Sequence, residues 1–205
     1  MKNLIISLIV CVLLAPAALA GDYDGRALMF TISGGGFMPT SDFDDIDGEL
    51  GSAYGAEAQY FFNDNIGIGL YFTQAVYSTD NITIAGDEYA HEIDSSHMGV
   101  SLILRLPMEN VDIYGLAGVG VADSTYELIQ EQNDIEYVER QTDYSMAYRF
   151  EAGARYYVWN ALSIGLNAGY LMSEMDVKHD RGAVFENATE KLGGFFFGMT
   201  AAVAL

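Results

Sequence analysis

The chain has 205 residues, with 29 acidic against 9 basic side chains and a formal net charge of −20, yet 51% of it is hydrophobic and 22 residues are Gly. A nucleic-acid footprint needs a basic patch, and this balance excludes nucleic acid as a partner. An acidic chain this rich in Tyr and Phe also lies outside the composition of disordered proteins.

Lys2, the apolar run from Leu4 to Leu14, Pro16 and Ala18-Leu19-Ala20 follow the order of a secretory signal peptide with cleavage after Ala20. Cys11 is the single cysteine; Val10 before it, rather than a small residue, argues against lipoprotein processing there. The expected organisation is a signal peptide over 1–20 and one exported domain over 21–205. Loss of Lys2 takes the formal charge to 8 − 29 = −21, and without cysteine the fold has no disulfide framework. No later segment has 18 uninterrupted apolar residues; Leu192 to Leu205 is too short and too Gly-rich for a spanning helix.

In chain order, Leu28 to Phe37 alternates, with Leu28, Phe30 and Ile32 on one face and Met29, Thr31 and Ser33 on the other. A polar segment, Pro39 to Gly51, reads as a long loop. Strands follow at Ala53 to Phe62 and Ile66 to Tyr77, joined by the tight turn Asn63-Asp64-Asn65. A second loop spans Ser78 to Glu92, and a strand from His97 to Leu106 turns at Pro107 to Asn110. Val111 to Ala122 is a fifth strand whose glycines leave its faces ambiguous. A third, acidic loop covers Asp123 to Asp143. Tyr144 to Trp159 is the clearest strand: Tyr144, Met146, Tyr148, Phe150, Ala152, Ala154, Tyr156 and Val158 form an apolar face opposite one that holds Arg149, Glu151 and Arg155. After Asn160-Ala161 come a strand from Leu162 to Met172, a fourth loop from Ser173 to Lys191, and a last strand from Gly193 to Leu205.

Eight strands of about ten residues, joined by tight turns and long loops in strict alternation, are the pattern of an antiparallel up-and-down transmembrane β-barrel. A soluble barrel keeps its bulky residues inside. Here the uniform face is the greasy one, and the mixed face carries Gly, Ser, Thr, Asn and a few charges. Glu57, Arg105, Arg149, Glu151 and Arg155 share that second face, and we expect them to form an interior ion-pair network, because unpaired charges in a narrow interior are costly. Tyr60, Phe62, Tyr156 and Trp159 lie beside the tight turns, where an interfacial aromatic belt is expected.

The leader, the early SGGGF, YGLAGVGV, FEAGARYYVWNALSIGLNAGY and the alternating last strand together resemble the small eight-stranded outer-membrane proteins of Gram-negative bacteria: the OmpA barrel domain, OmpX and the opacity-type proteins. The resemblance covers the exported chain and is one of architecture. It implies location in the bacterial outer membrane, contact with its lipid and lipopolysaccharide, and delivery to the barrel-assembly machinery through the C-terminal strand. Members usually end in an aromatic residue where this chain ends in Leu205, and the resemblance does not extend to a peptidoglycan-gripping domain, so it implies no wall-anchoring role.

The first functional reading is a barrel presenting four acidic surface loops, in a structural, adhesive or surface-interaction role toward a surface ligand or host receptor. No cofactor is expected. Asp42, Asp44, Asp45, Asp47 and Glu49 are weak metal candidates on carboxylate density alone, since their spacing fits no EF-hand. The alternative is a lipopolysaccharide-modifying acyl hydrolase or transferase. Against it, the H-x-S-N pattern is missing, and Ser95 and His97 stand about 7 Å apart along a strand. A small ion-conducting pore is a third reading, disfavoured because eight strands leave an interior that side chains fill.

Overall fold

The computed structural model describes residues 28–40, 50–78, 82–84, 87–132, 135–159, 161–180 and 185–205. The expected leader and the cluster from Asp42 to Glu49 lie outside the described residues. The strands are β1 (Leu28–Pro39), β2 (Gly51–Phe61), β3 (Ile66–Ser78), β4 (Ile82–Ile84), β5 (Asp87–Pro107), β6 (Val111–Gln132), β7 (Ile135–Tyr157), β8 (Leu162–Asp180) and β9 (Phe185–Ala204). Every pairing is antiparallel, and the order β3-β2-β1-β9-β8-β7-β6-β5 closes through β3–β5 into an eight-stranded barrel; β4 is a short addition to the outer end of β5.

Period-2 side-chain alternation sorts the wall into two faces. On β5, Ser101, Ile103 and Arg105 are buried while Met98, Val100, Leu102, Leu104 and Leu106 are exposed. On β6 the ambiguous faces resolve: Asp112, Tyr114, Leu116 and Ala122 point inward, Ile113, Val119 and Val121 outward. At about 3.3 Å per residue and a tilt of about 40°, the outward stretch from Leu106 to Met98 stands roughly 20 to 25 Å tall, the height of an outer-membrane hydrocarbon band. The band ends at a row set by register across five strands: Tyr54, Gln74, Ser96, Asp123 and Tyr144. At this row Gln74 Nε2 donates to both carboxylate oxygens of Asp94 at 2.9 Å.

The other rim is tight. Asn63 Oδ1 accepts from the backbone N–H of Asn65 and of Ile66, both at 2.9 Å, and Met108 N donates to Val111 O. Phe62, Tyr156 and Trp159 are exposed at this rim, and Tyr60 packs edge-on against Phe62 at 5.4 Å.

Three of the four segments expected to be loops are strand for much of their length. Ser78 to Glu92 holds β4 and the start of β5; Asp123 to Asp143 is the β6–β7 hairpin, paired as far as Gln132↔Ile135; Ser173 to Lys191 is the β8–β9 hairpin, paired to Asp180↔Phe185. The β7–β8 ladder reaches only Ala147↔Ser173, so the outer hairpins are continued by separate ladders. Beyond the bilayer neither face meets lipid, so apolar alternation disappears while β-branched and aromatic residues such as Tyr126, Ile129 and Tyr137 persist. Moving a charge to the middle of the apolar band should expose the difference: Leu102→Arg is expected to cost about 2 to 4 kcal/mol in bilayer unfolding titrations and Thr142→Arg, above the band, about 0 to 1.

Candidate functional site

Inside the wall, side chains form three layers. Nearest the tight turns lies an apolar cluster with Met29, Phe61, Ile103, Tyr157, Ala202 and Ala204; nearest the outer hairpins lies another with Phe37, Tyr77, Ile93, Leu171, Leu192 and Phe196. Between them sit most of the buried polar groups, with Arg105 and Asp112 at the level of the first cluster.

Arg149 is the centre of the polar layer. From β7 it reaches Glu57 on β2 (Nη1 to Oε2, 3.4 Å) and Glu151 two residues along its own strand, through a hydrogen bond from Nη2. Tyr114 OH donates to the other oxygen of Glu151 at 2.8 Å, and Ser101 donates to Glu57. Each carboxylate therefore has a cation and a neutral donor, which is what buried charge requires. Glycines make the room: a Cβ on Gly69 would collide with Glu57 and Ser101, and one on Gly153 with the Tyr114 ring.

The other two arginines stand apart. Arg105 faces Asp112 (Nη1 to Oδ2, 3.7 Å), lies over Phe61 at 3.9 Å and donates from Nε to Asp64 O; Tyr157 donates to Asp112. Arg155 meets Met29 Sδ, Thr31 Oγ1 and Gln59 Oε1 and sits 4.2 Å over Tyr114, with no carboxylate partner among the described residues. Of the five charges expected to form one network, the structure thus joins Glu57, Arg149 and Glu151 and separates Arg105 and Arg155. Asp112 was hidden by the ambiguous faces of its Gly-rich strand; among the described residues it brings the buried charges to three of each sign.

Ser95 and His97 are closer than their strand spacing suggests. Ser95 Oγ shares a hydrogen bond with His97 Nε2 at 2.9 Å and another with Ser124 Oγ at 2.8 Å. The inward face of a barrel is concave, so side chains two residues apart converge. The geometry is that of a nucleophile and base, but both residues are buried (3% and 2% exposed) under the outer apolar cluster. His97 Nδ1 has no hydrogen-bond partner among the described residues. Among those residues, no group of three or more His, Cys, Asp or Glu is arranged to hold a metal ion.

A closed antiparallel barrel with an apolar exterior and a charge-neutral polar core defines an outer-membrane β-barrel. The chain belongs to the outer membrane protein beta-barrel domain family, whose family model matches residues 6–189. Its fold is similar to the outer membrane protease OmpT of Escherichia coli (8% identity, 91% of this chain and 99% of that chain, TM-score 0.59). It is also similar to the outer membrane protein OprG of Pseudomonas aeruginosa (12%, 87% and 96%, 0.53) and to a major outer membrane protein of Thermus thermophilus (10%, 86% and 99%, 0.53). At these identities the likeness is one of fold. No curated protein gives a significant match.

Removing the cation from the central triad leaves two buried carboxylates facing each other. Arg149→Ala should lower the stability of the folded barrel by about 3 to 5 kcal/mol, read as a shift of the urea midpoint in lipid vesicles. The triple change Glu57→Gln, Arg149→Met, Glu151→Gln should recover much of it. A loss in the triple variant as large as in Arg149→Ala would show that packing, not uncompensated charge, sets the cost.

Proposed function

We propose that this protein is a non-conducting, non-enzymatic anchor of the bacterial outer membrane that displays acidic strand hairpins to a partner at the cell surface. The observation that carries the reading is the contrast between its two parts. The barrel core is neutral and capped by apolar layers at both ends, whereas 87–96 and 123–143 place 11 acidic residues against the single basic Arg140. Part of this surplus works against folding. Glu92 and Glu127 are direct cross-strand partners, a like-charge pair that costs stability, and Arg140 pairs with Glu127 alone at 3.2 Å among the described residues. The Arg140–Glu127 pair is exposed enough that its own contribution is small.

Residues 1–20 act as the export leader in this reading, the last strand is what the assembly machinery engages, and outer-leaflet lipopolysaccharide packs on the apolar band below Asp123 and Tyr144. The pore reading is disfavoured because two apolar layers stand in the path of any ion. The hydrolase reading is disfavoured because Ser95 and His97 are buried on the inward face of the wall and a lipid substrate would meet the opposite face.

Two measurements test this. The purified barrel in planar bilayers should give no steady conductance, and replacing residues 127–140 by a short Gly-containing turn should abolish cell-surface binding to cationic proteins or host cells while the heat-dependent gel shift of the folded barrel persists. Conductance in the native protein, or surface binding undiminished by the shortened hairpin, would overturn the proposal.

A further inference from the structure

Beyond the bilayer the outer parts of β5, β6 and β7 form one sheet whose two flanks are finished differently. On the β5 flank, β4 folds back and pairs Ile82 to Ile84 with Tyr89 to Asp87. On the β7 flank the ladder to β8 stops at Ala147↔Ser173, although β6–β7 pairing runs on to Gln132↔Ile135 and β8–β9 pairing to Asp180↔Phe185. Among the described residues no strand covers this flank of β7 above Ala147. The direction of its backbone groups follows from the inner end of the strand, where Tyr157 N donates toward β6, to Asn110 O, and Val158 N toward β8, to Leu162 O, both at 2.9 Å. These directions alternate along an antiparallel strand, and the β6–β7 register runs without a bulge. The even-numbered residues of β7 therefore turn N–H and C=O to the open flank, in its outer part Val138, Arg140, Thr142 and Tyr144. At the fork, a ladder continued by one step would have Glu174 N donate to Met146 O. It donates to Ser145 Oγ at 3.3 Å instead, so a side chain closes the split.

Natural proteins blunt an open edge with Pro, Lys or a bulge. None of the 3 Pro of this chain lies on β7 or β8, and Arg140, the one Lys or Arg in 87–96 and 123–143, is engaged by Glu127 at 3.2 Å. The sheet behind the edge carries Glu136 and Glu139 on β7, Glu127 and Glu131 on β6, and Glu88 and Glu92 on β5. We propose that this flank is a strand-docking edge: an extended cationic segment of a partner protein adds to β7, antiparallel as β8 is lower down. It exchanges backbone hydrogen bonds with Arg140, Thr142 and Tyr144, while its Lys and Arg side chains meet the carboxylates of the sheet. Main-chain bonds give the affinity and charge selects the segment. A second copy of this chain is a poor occupant, because edge-to-edge pairing would bring two acidic sheets together. The inference rests on the reading of the outer hairpins as the surface that meets a partner, and adds how that partner is held.

The test uses the whole barrel in lipid vesicles and a fluorescent peptide of alternating Lys and Val, read by anisotropy. The peptide should bind, and its counterpart of alternating Glu and Val should not. Methylating every backbone amide of the Lys-Val peptide keeps its charge and removes its donors; affinity should fall about tenfold or more, equal to about 1.4 kcal/mol. On the protein side, Thr142→Pro deletes an N–H that points away from β6, so the β6–β7 ladder stays intact and the heat-dependent gel shift should persist. It should weaken the peptide by a similar factor. Thr142→Ala should bind as the native protein does, although it too loses the contact of Thr142 Oγ1 with Thr125 Oγ1 at 3.3 Å. The methylated peptide needs no variant, so the test stands even where Thr142→Pro fails to fold. Equal binding of the methylated peptide would overturn the docking edge and leave the acidic hairpins as a purely electrostatic surface, whereas cell-surface binding undiminished by the shortened hairpin overturns that wider reading. No binding of the Lys-Val peptide, equal binding of the Glu-Val peptide, or a dimer of the native protein that Thr142→Pro dissolves would also overturn the proposal.

Discussion

Hydrocarbon offers no hydrogen bonds, so every backbone N–H and C=O that crosses it must be satisfied within the protein. A sheet meets this only when it has no edge, and the pairing of β3 with β5 removes the last one. The outward side chains then have to be apolar over a height set by the bilayer. The stretch between Leu106 and Met98, and the register-matched row from Tyr54 to Tyr144 above it, mark that height. With strand number fixed at eight, the interior cross-section follows, and it is just wide enough for side chains to fill.

That fixed cross-section governs the chemistry of the core. Among the described residues three arginines and three carboxylates share it, and the apolar clusters at its two ends limit the water that could screen them. A charge there tolerates only near-complete pairing. The three ways in which the arginines are held follow from what each finds at its level: two carboxylates for Arg149, one carboxylate and an aromatic face for Arg105, and neutral acceptors with an aromatic face for Arg155. Cation–π contact contributes about 2 kcal/mol or more when desolvated, which helps Arg155 to persist with no acid beside it among the described residues.

The faces of the strands were legible because period 2 is imposed from outside: lipid on one side, a crowded interior on the other. The same logic explains what could not be read. Past the bilayer the constraint lapses, so the acidic halves of β5, β6 and β7 carry no alternation and look like loops. Which charges meet is a matter of stagger between strands far apart in sequence. Glu57 and Arg149 stand on β2 and β7, and no local pattern sets their relative height. Asp112 escaped notice because its neighbours Gly115, Gly118 and Gly120 blur both faces. The Ser95–His97 bond escaped because spacing along a strand says nothing about convergence of side chains on a concave wall.

The asymmetry of the molecule about the bilayer separates stability from display. At one rim the chain turns within a few residues, using side-chain caps such as Asn63. At the other the strands run on into paired hairpins with an excess of carboxylates. Positions more than about 7 to 10 Å apart with no shared partners act on stability nearly independently. Changes in the hairpin beyond Tyr126 and Gln141 are thus insulated from the Arg149 layer, with the Tyr126 and Ile93 level of the outer cluster between them. A barrel arranged in this way can vary what it shows to the outside while the neutral, capped core that holds it in the membrane stays the same.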